Sequence, residues 1–242
     1  MRRHFVHFLW GSLLAILGVI TVFFISVWNG WVGYMPNMDE LSNPIDKFAS
    51  QVYSSDQQLI GTWNADNNNR VAIDYNGLSP HLVHALVATE DERFYEHSGV
   101  DFIALGRAVV KRGVMGQASA GGGSTITQQL AKQLFSEKAH STVERLLQKP
   151  IEWIIAVKLE RHFTKEEILA MYFNYFDFLH NAVGIKRAAN VYFNKEPRKL
   201  TVTEAAMLVG LCKNPSMFNP LRYPERCKQR RNVVLMQMVK SG

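Results

Sequence analysis

Twenty-one consecutive residues without a charge, Phe8 to Trp28, constrain this chain more than any other feature of its sequence. As a helix rising about 1.5 Å per residue the run spans roughly 30 Å, the hydrocarbon thickness of a bilayer. Arg2 and Arg3 precede it, and the next charge is Asp39. By the positive-inside rule the N-terminus stays in the cytoplasm and everything after Trp28 lies outside. Trp28, Trp31 and Tyr34 suit the outer interface. A buried soluble helix would keep a polar stripe that is missing here. A cleaved signal peptide would be shorter and would end in a small-x-small site, so the run reads as an uncleaved signal anchor.

Behind the anchor there is room for one sizeable domain. Hydrophobic residues make up 47% of the 242 and charged residues 20%, which excludes long disorder. The formal charge is +6, much of it in the last third at Lys195, Arg198, Lys199, Arg222, Arg226, Lys228, Arg230 and Arg231. Nucleic acid, an anionic membrane surface or a phosphate-bearing substrate would each suit such a balance, as would a solvated basic face. Cys212 and Cys227 fit no zinc spacing and no C-x-x-C motif. Cys212 sits in an apolar, helix-like run and reads as a buried free thiol, with a disulfide open to it outside the cytoplasm.

Three regions follow: 1–35 as cytoplasmic tip and anchor, 36–76 as a polar spacer, and 77–242 as the main domain. In the spacer, Gln51-Val52-Tyr53 and Arg70-Val71-Ala72-Ile73 read as strands of a small hairpin, and Asp66-Asn67-Asn68-Asn69 as a turn. From Ser79 the pattern is helical. Ser79-Pro80 is an N-cap with proline at the first helical position, opening a helix to about Arg93. Thr125-x-x-Gln128 can open a helix bearing Leu130 and Leu134, with a loop equally natural after its glycines; Ser141-x-x-Glu144, Thr164-x-x-Glu167 and Thr201-x-x-Glu204 are further capping-box signatures, each before an apolar run. No internal repeat is evident, and the domain reads as mainly α.

Three constellations carry chemistry. Glu90-Asp91-x-x-Phe94-x-x-His97-x-Gly99 places two carboxylates at the C-terminal end of an apolar helix. The negative end of the macrodipole disfavours a carboxylate there, which suits a group that accepts a proton from a sugar hydroxyl. An acidic helix end facing water is the plainer reading. Gly121-Gly122-Gly123-Ser124-Thr125-Ile126-Thr127-Gln128-Gln129-x-x-Lys132 combines close backbone approach with hydroxyls, amides and a lysine at a helix start, a place for pyrophosphate. It lacks the Gly-Lys-Ser/Thr of a Walker A loop, and a flexible loop is its plainer reading. Gln148-Lys149-Pro150-Ile151-Glu152 puts a glutamate at the start of an apolar run, either functional or paired with Lys149 one turn earlier. His81-x-x-His84 is a poor zinc pair and no H-E-x-x-H occurs, so no protein-built metal site is read.

In this order, these segments resemble the family 51 glycosyltransferases, the peptidoglycan glycosyltransferases found alone or as a domain of class A penicillin-binding proteins. The likeness runs from about Leu78 to Gln237 and includes Lys165-Glu166-Glu167-Ile168-Leu169 with Tyr172 and Asn174, Ala188-Ala189-x-x-Tyr192-Phe193-x-Lys195, Glu204-Ala205-Ala206 and Asn214-Pro215-Ser216-x-x-Asn219-Pro220. The resemblance implies a lysozyme-like helical domain with a membrane-associated subdomain, preceded by one transmembrane helix. It implies an inverting transfer that polymerises lipid II into β-1,4-linked glycan and releases undecaprenyl pyrophosphate. By motif, Glu90 is the base and Glu152 the second catalytic glutamate, supporting the leaving pyrophosphate or positioning the acceptor. Lys132 and Lys149, with a divalent cation such as Mg2+, would neutralise the pyrophosphate; no organic cofactor is implied. Asp91, Phe94, Ser124, Thr125 and Gln129 would line the cleft, and His97 and Asn174 would brace it.

The implied partners are lipid II, the lipid-linked glycan chain, the membrane and other cell-wall synthesis proteins, but no nucleic acid. The implied place is the outer, periplasmic face of the bacterial cytoplasmic membrane.

Two positions depart from the family pattern. Gln148 stands where an arginine is usual and Ala170 where a glutamate is usual. The first removes a bidentate phosphate contact, for which Lys138 or Arg145 would substitute; the second removes a salt bridge. They are the only support for the alternative, a catalytically degenerate lipid II-binding scaffold. Lys240-Ser241-Gly242 fits a transpeptidase triplet by coincidence, since no Ser-x-x-Lys or Ser-x-Asn accompanies it. The end of the chain after a helix-like Arg231–Lys240 favours a piece of a bifunctional protein over a monofunctional enzyme.

Overall fold

The computed structural model describes residues 2–37, 40–41, 50–56, 59–63, 70–113, 123–136 and 142–242. Helix α1, Arg2–Trp28, carries the uncharged run. It is the one described helix long and apolar enough to cross a membrane, with a mean hydropathy of 2.5 over an 18-residue window of His4–Trp28. Its side chains are largely exposed until Val27, which is fully buried. There α1 meets helix α5 of the main domain (Thr142–His162), and Trp28 lies under the Lys158 and Arg161 cations, 5.1 and 5.8 Å from its ring centre.

Strand β1 (Ser50–Tyr53) pairs antiparallel with β2 (Leu59–Trp63). The hairpin expected from Gln51–Tyr53 therefore exists, but its second strand is β2 and not Arg70–Ile73. The near segment wins because closing a short loop costs little. Ile73 instead finds its partner in a side chain: its N–H donates to Asn174 Oδ1 and its C=O accepts from Asn174 Nδ2, at 3.2 and 2.8 Å. Residues assigned to the spacer are thus tied into the main body, and Leu41 is fully buried in its core. The expected turn at Asp66–Asn69 lies outside the described residues.

Eight helices follow the hairpin among the described residues. They are α2 (Pro80–Glu90), α3 (Phe102–Gly113), α4 (Ile126–Phe135), α5, α6 (Lys165–Tyr175), α7 (Ile185–Phe193), α8 (Val202–Lys213) and α9 (Pro224–Ser241). The caps fall where the local chemistry predicts. Ser79 accepts from His81 N–H ahead of Pro80, and Thr125 accepts from Gln128 N–H. Thr164 and Thr201 form complete capping boxes with Glu167 and Glu204. Ser141 lies outside the described residues.

One boundary differs from expectation. Helix α2 ends at Glu90 rather than near Arg93, because Asp91 leaves the helical conformation at φ −157° and ψ 73° and its carboxylate is drawn to α4. Helix α5 starts at Thr142, where the Ser141-x-x-Glu144 signature expects a helix, and it runs through Pro150. Proline there removes one intrahelical hydrogen bond, a cost the surrounding packing overrides.

The core joins α2, α4, α5, α6, α8 and α9 through residues such as Leu82, Leu86, Leu130, Ile155, Leu159, Tyr172 and Phe173, all fully buried. Each large apolar side chain buried in this way contributes about 1.5–3 kcal/mol. Helix α3 is different. Phe102, Ile103, Val109 and Val110 lie exposed along one side of it, while Ala104, Arg107 and Ala108 face a cleft on the other.

Candidate active site

The cleft is walled by Glu90, Asp91, Glu92 and Arg93 at the end of α2, by Asp101, Ala104, Arg107 and Ala108 of α3, and by Gly123, Ser124 and Thr125 before α4. It unites the first and second constellations of the sequence. Gly121 and Gly122 lie outside the described residues; Gly123 sits close on α3, where a Cβ would stand 3.2 Å from Leu105 Cα.

Asp91 is the hinge of this arrangement. Its Oδ2 accepts the Ile126 N–H at 3.0 Å, at the exposed-donor end of α4, and both oxygens lie within 3.1 Å of His97 Nε2. Thr125 Oγ1 donates to Gly99 O at 2.7 Å, and Gln128 Nε2 donates to the same carbonyl. Phe94 is fully buried, edge-on to His97 and beneath the Lys165 ammonium at 4.2 Å from its ring centre. Lys165 also bonds His97 O and Glu160, which accepts from Thr127. Asp91, His97 and Thr125 therefore fix α4 to the end of α2. Phe94, expected as a substrate contact, has no surface left for one, because the core closes over it.

Glu90 is held from behind by two donors. Arg230 Nη2 on α9 reaches Oε1 at 3.0 Å, and Gln129 Nε2 on α4 reaches Oε2 at 3.2 Å. The expected cost of a carboxylate at a helix C-terminus is offset by this ion pair. Tyr172 sets the orientation of the Gln129 amide. Burial first, then the neighbouring Cys212 and the Glu90 charge, pushes the phenol well above its ordinary range. It is thus a neutral donor, giving its O–H to Gln129 Oε1 at 3.0 Å and turning Nε2 toward Glu90. Cys212 lies beside it; burial first, then the Glu90 charge, pushes that thiol up. Both cysteines are buried and free, so no disulfide forms.

The third constellation closes onto the second. Lys149 Nζ donates to Glu152 Oε2 at 2.6 Å and to Ser124 Oγ at 3.3 Å. Glu152 is 3% exposed, while the Lys149 side chain is 43% exposed and keeps an open side toward solvent. The pairing and the connection to the cleft are both real: the Lys–Glu pair delivers an ammonium to the Ser124 hydroxyl.

The remaining expected residues are spread more widely. Lys132 is exposed on α4. Asn174, expected to brace the cleft, binds the Ile73 backbone instead and supports the body at a distance. Ala170 is buried in α6, so the position that departs from the family pattern is filled by packing. Arg145 is exposed near the start of α5, and Lys138 lies outside the described residues. The sequence reading missed three contributors. Arg230 was legible only as one charge in a basic stretch, Tyr172 only as a motif member, and Arg107 not at all.

Among the described residues no three His, Cys, Asp or Glu side chains converge as metal ligands. The cleft's two buried carboxylates are engaged elsewhere: Asp91 as above, and Asp101 as the cap of α3 through the Ile103 and Ala104 N–H groups. Burial works against charge on Asp101, yet those donors and the Arg93 guanidinium hold its carboxyl below the usual range.

Comparison with known proteins gives the family. The family described as Transglycosylase matches residues 56–239. The chain is 38% identical to penicillin-binding protein 1A of Aquifex aeolicus over 96% of its length and 30% of that protein's. It is 39% identical to penicillin-binding protein 1A of Escherichia coli, covering 86% of this chain and 24% of the relative. It is 42% identical to penicillin-binding protein 1F of Bacillus subtilis, covering 72% and 24%. The chain thus spans 24–30% of the length of these relatives. Its motifs, its helical body and these matches agree: the chain belongs to the transglycosylase family, the family 51 peptidoglycan glycosyltransferases.

Proposed function

We propose that this chain polymerises lipid II into β-1,4-linked glycan strands by an inverting transfer at the outer face of the cytoplasmic membrane. The observation that carries the reading is Glu90, fixed at the cleft edge by donors that lie behind it. Each oxygen of a carboxylate has two lone pairs, and each here meets one protein donor, so acceptor capacity remains for a hydroxyl. Glu90 takes the proton of the acceptor's 4-hydroxyl as that oxygen bonds to the donor's anomeric carbon. The bond from that carbon to the pyrophosphate oxygen breaks, and undecaprenyl pyrophosphate leaves. Lys149, held by Glu152 and joined to Ser124, stabilises the departing charge, with exposed Lys132 as a second cation.

A divalent cation such as Mg2+ enters this proposal as a companion of the pyrophosphate, since Asp91 and Asp101 are engaged by the protein. The exposed apolar side of α3 supports a membrane-dipping role: with its opposite side on the cleft, it would bring lipid-borne sugars to Glu90. Positive charge at the start of α1 supports the outward orientation of the domain. Partners in the cell wall synthesis machinery follow from the same reading.

The test is incubation of the detergent-solubilised protein with lipid II and Mg2+, beside an incubation with preformed glycan. Polymer from the first and intact strands from the second support the proposal. Shortened strands would indicate a glycan-cleaving enzyme. Lipid II bound without turnover would indicate a scaffold.

A further inference from the structure

We propose that Arg230 is a positioning residue for glycosyl transfer, acting through Glu90; the inference rests on the function proposed above. Arg230 comes from α9, 140 residues from Glu90 in sequence, and its side chain is only 10% exposed. It does not line the cleft, whereas Glu90 does. The guanidinium therefore approaches the carboxylate from the protein side and leaves the cleft side open to a hydroxyl.

Three further observations separate this from an ordinary packing contact. First, the Arg230 Nε–H is buried without a partner. An orphaned buried donor costs free energy, so the position is tuned to the Nη2–Glu90 bond rather than to full satisfaction of the guanidinium. Second, α8 carries Gly210 where the arginine stem passes: a Cβ there would stand 3.3 Å from Arg230 Cγ. Third, the other oxygen of Glu90 is held by Gln129, which Tyr172 orients. Two donors from different helices fix both oxygens, and so fix the carboxylate plane. A general base is effective only within hydrogen-bond reach of the proton it takes, and small misplacement is costly.

The experiment uses the whole chain in detergent with lipid II, comparing wild type, Arg230→Ala, Arg230→Lys, Glu90→Gln and the Glu90→Gln/Arg230→Ala pair. Thermal midpoints are measured beside kcat and KM. Arg230→Ala is expected to lower kcat by about 10- to 100-fold, part of what a positioned base supplies, with KM nearly unchanged. Guanidinium ion at millimolar concentration should restore part of the Arg230→Ala rate and none of the Glu90→Gln rate. The double variant should be no slower than Glu90→Gln alone, because the two residues act as one unit.

If Arg230→Ala fails to fold, Arg230→Lys carries the test: it keeps the charge, loses the planar fork, and is expected to fold with a lowered kcat. A wild-type kcat in whichever of the two variants folds, or a double variant whose loss is the product of the single losses, overturns the inference. No polymer from wild type overturns the function beneath it instead.

Discussion

Gly99 rests directly on the backbone of Ala156: a Cβ built on the glycine would stand 2.8 Å from that residue's carbonyl carbon and oxygen. Its φ of +93° is one that side-chain-bearing residues rarely adopt. Both constraints fall on a residue whose carbonyl accepts from Thr125 and Gln128. Gly99→Ala should therefore destabilise the domain by about 2–4 kcal/mol, combining positive-φ strain with a clash against helix backbone. It should also loosen the Thr125 end of the cleft. Thermal denaturation would check the first effect, and the rate at saturating lipid II the second.

Lys149 and Glu152 make a second prediction. Replacing Lys149 with Met leaves a buried carboxylate without its cation, which should cost about 2–3 kcal/mol after allowance for the exposed lysine end. Replacing both residues with apolar ones should cost less than the single change, since no charge is then stranded. If Lys149 also stabilises the leaving pyrophosphate, the double variant should be stable yet slow. A stable double variant with wild-type kcat would confine the pair to a structural role.

The depressed Asp101 carboxyl makes stability depend on acid. Its folded pKa lies below the unfolded one, so its contribution is complete above the unfolded carboxylate range and is lost as pH falls through the folded value. Glu204 behaves alike: burial works against its charge, but bonds from Lys195 and Thr201 hold it low. The thermal midpoint should fall between about pH 5 and 3. Asp101→Asn keeps a capping side chain and should flatten that fall, while lowering the midpoint at neutral pH. A variant with an unchanged slope would remove Asp101 from the account.

Cys212 and Cys227 should resist alkylation in the native protein at neutral pH. Burial pushes both thiols above their ordinary range, and the thiolate is the reactive form. Mass spectrometry after brief treatment with iodoacetamide should find neither modified, and both modified in denaturant. Because Cys212 packs beside Tyr172, an oversized substitution such as Cys212→Phe should disturb the Tyr172–Gln129–Glu90 chain and lower activity along with stability.

What was legible in the sequence was what is local. The caps at Ser79, Thr164 and Thr201 are legible because a cap is made by residues within a single turn, while the glycines before Thr125 leave helix and loop open there. The anchor was read from an unbroken apolar run. The motifs placed Glu90, Ser124, Lys149 and Glu152 in one neighbourhood. What escaped was non-local. Arg230 meets Glu90 across 140 residues, and Asn174 meets Ile73 across 101. Nothing in either segment names its partner. The course of α5 through Pro150 and the burial of Phe94 are decided by packing, which overrides local preference. Leu179, His180 and Asn181 all take left-handed conformations between α6 and α7, and none of the three is a glycine that would signal it.

The most direct measurement compares wild type with Glu90→Gln in polymerisation of lipid II, with products separated by gel. The substitution keeps size and removes the capacity to take a proton, at the loss of one of the two acceptor oxygens that meet Arg230 and Gln129. The account predicts glycan polymer from wild type, none above background from Glu90→Gln, and equal binding of lipid II by both. Equal polymer from the two proteins would contradict it.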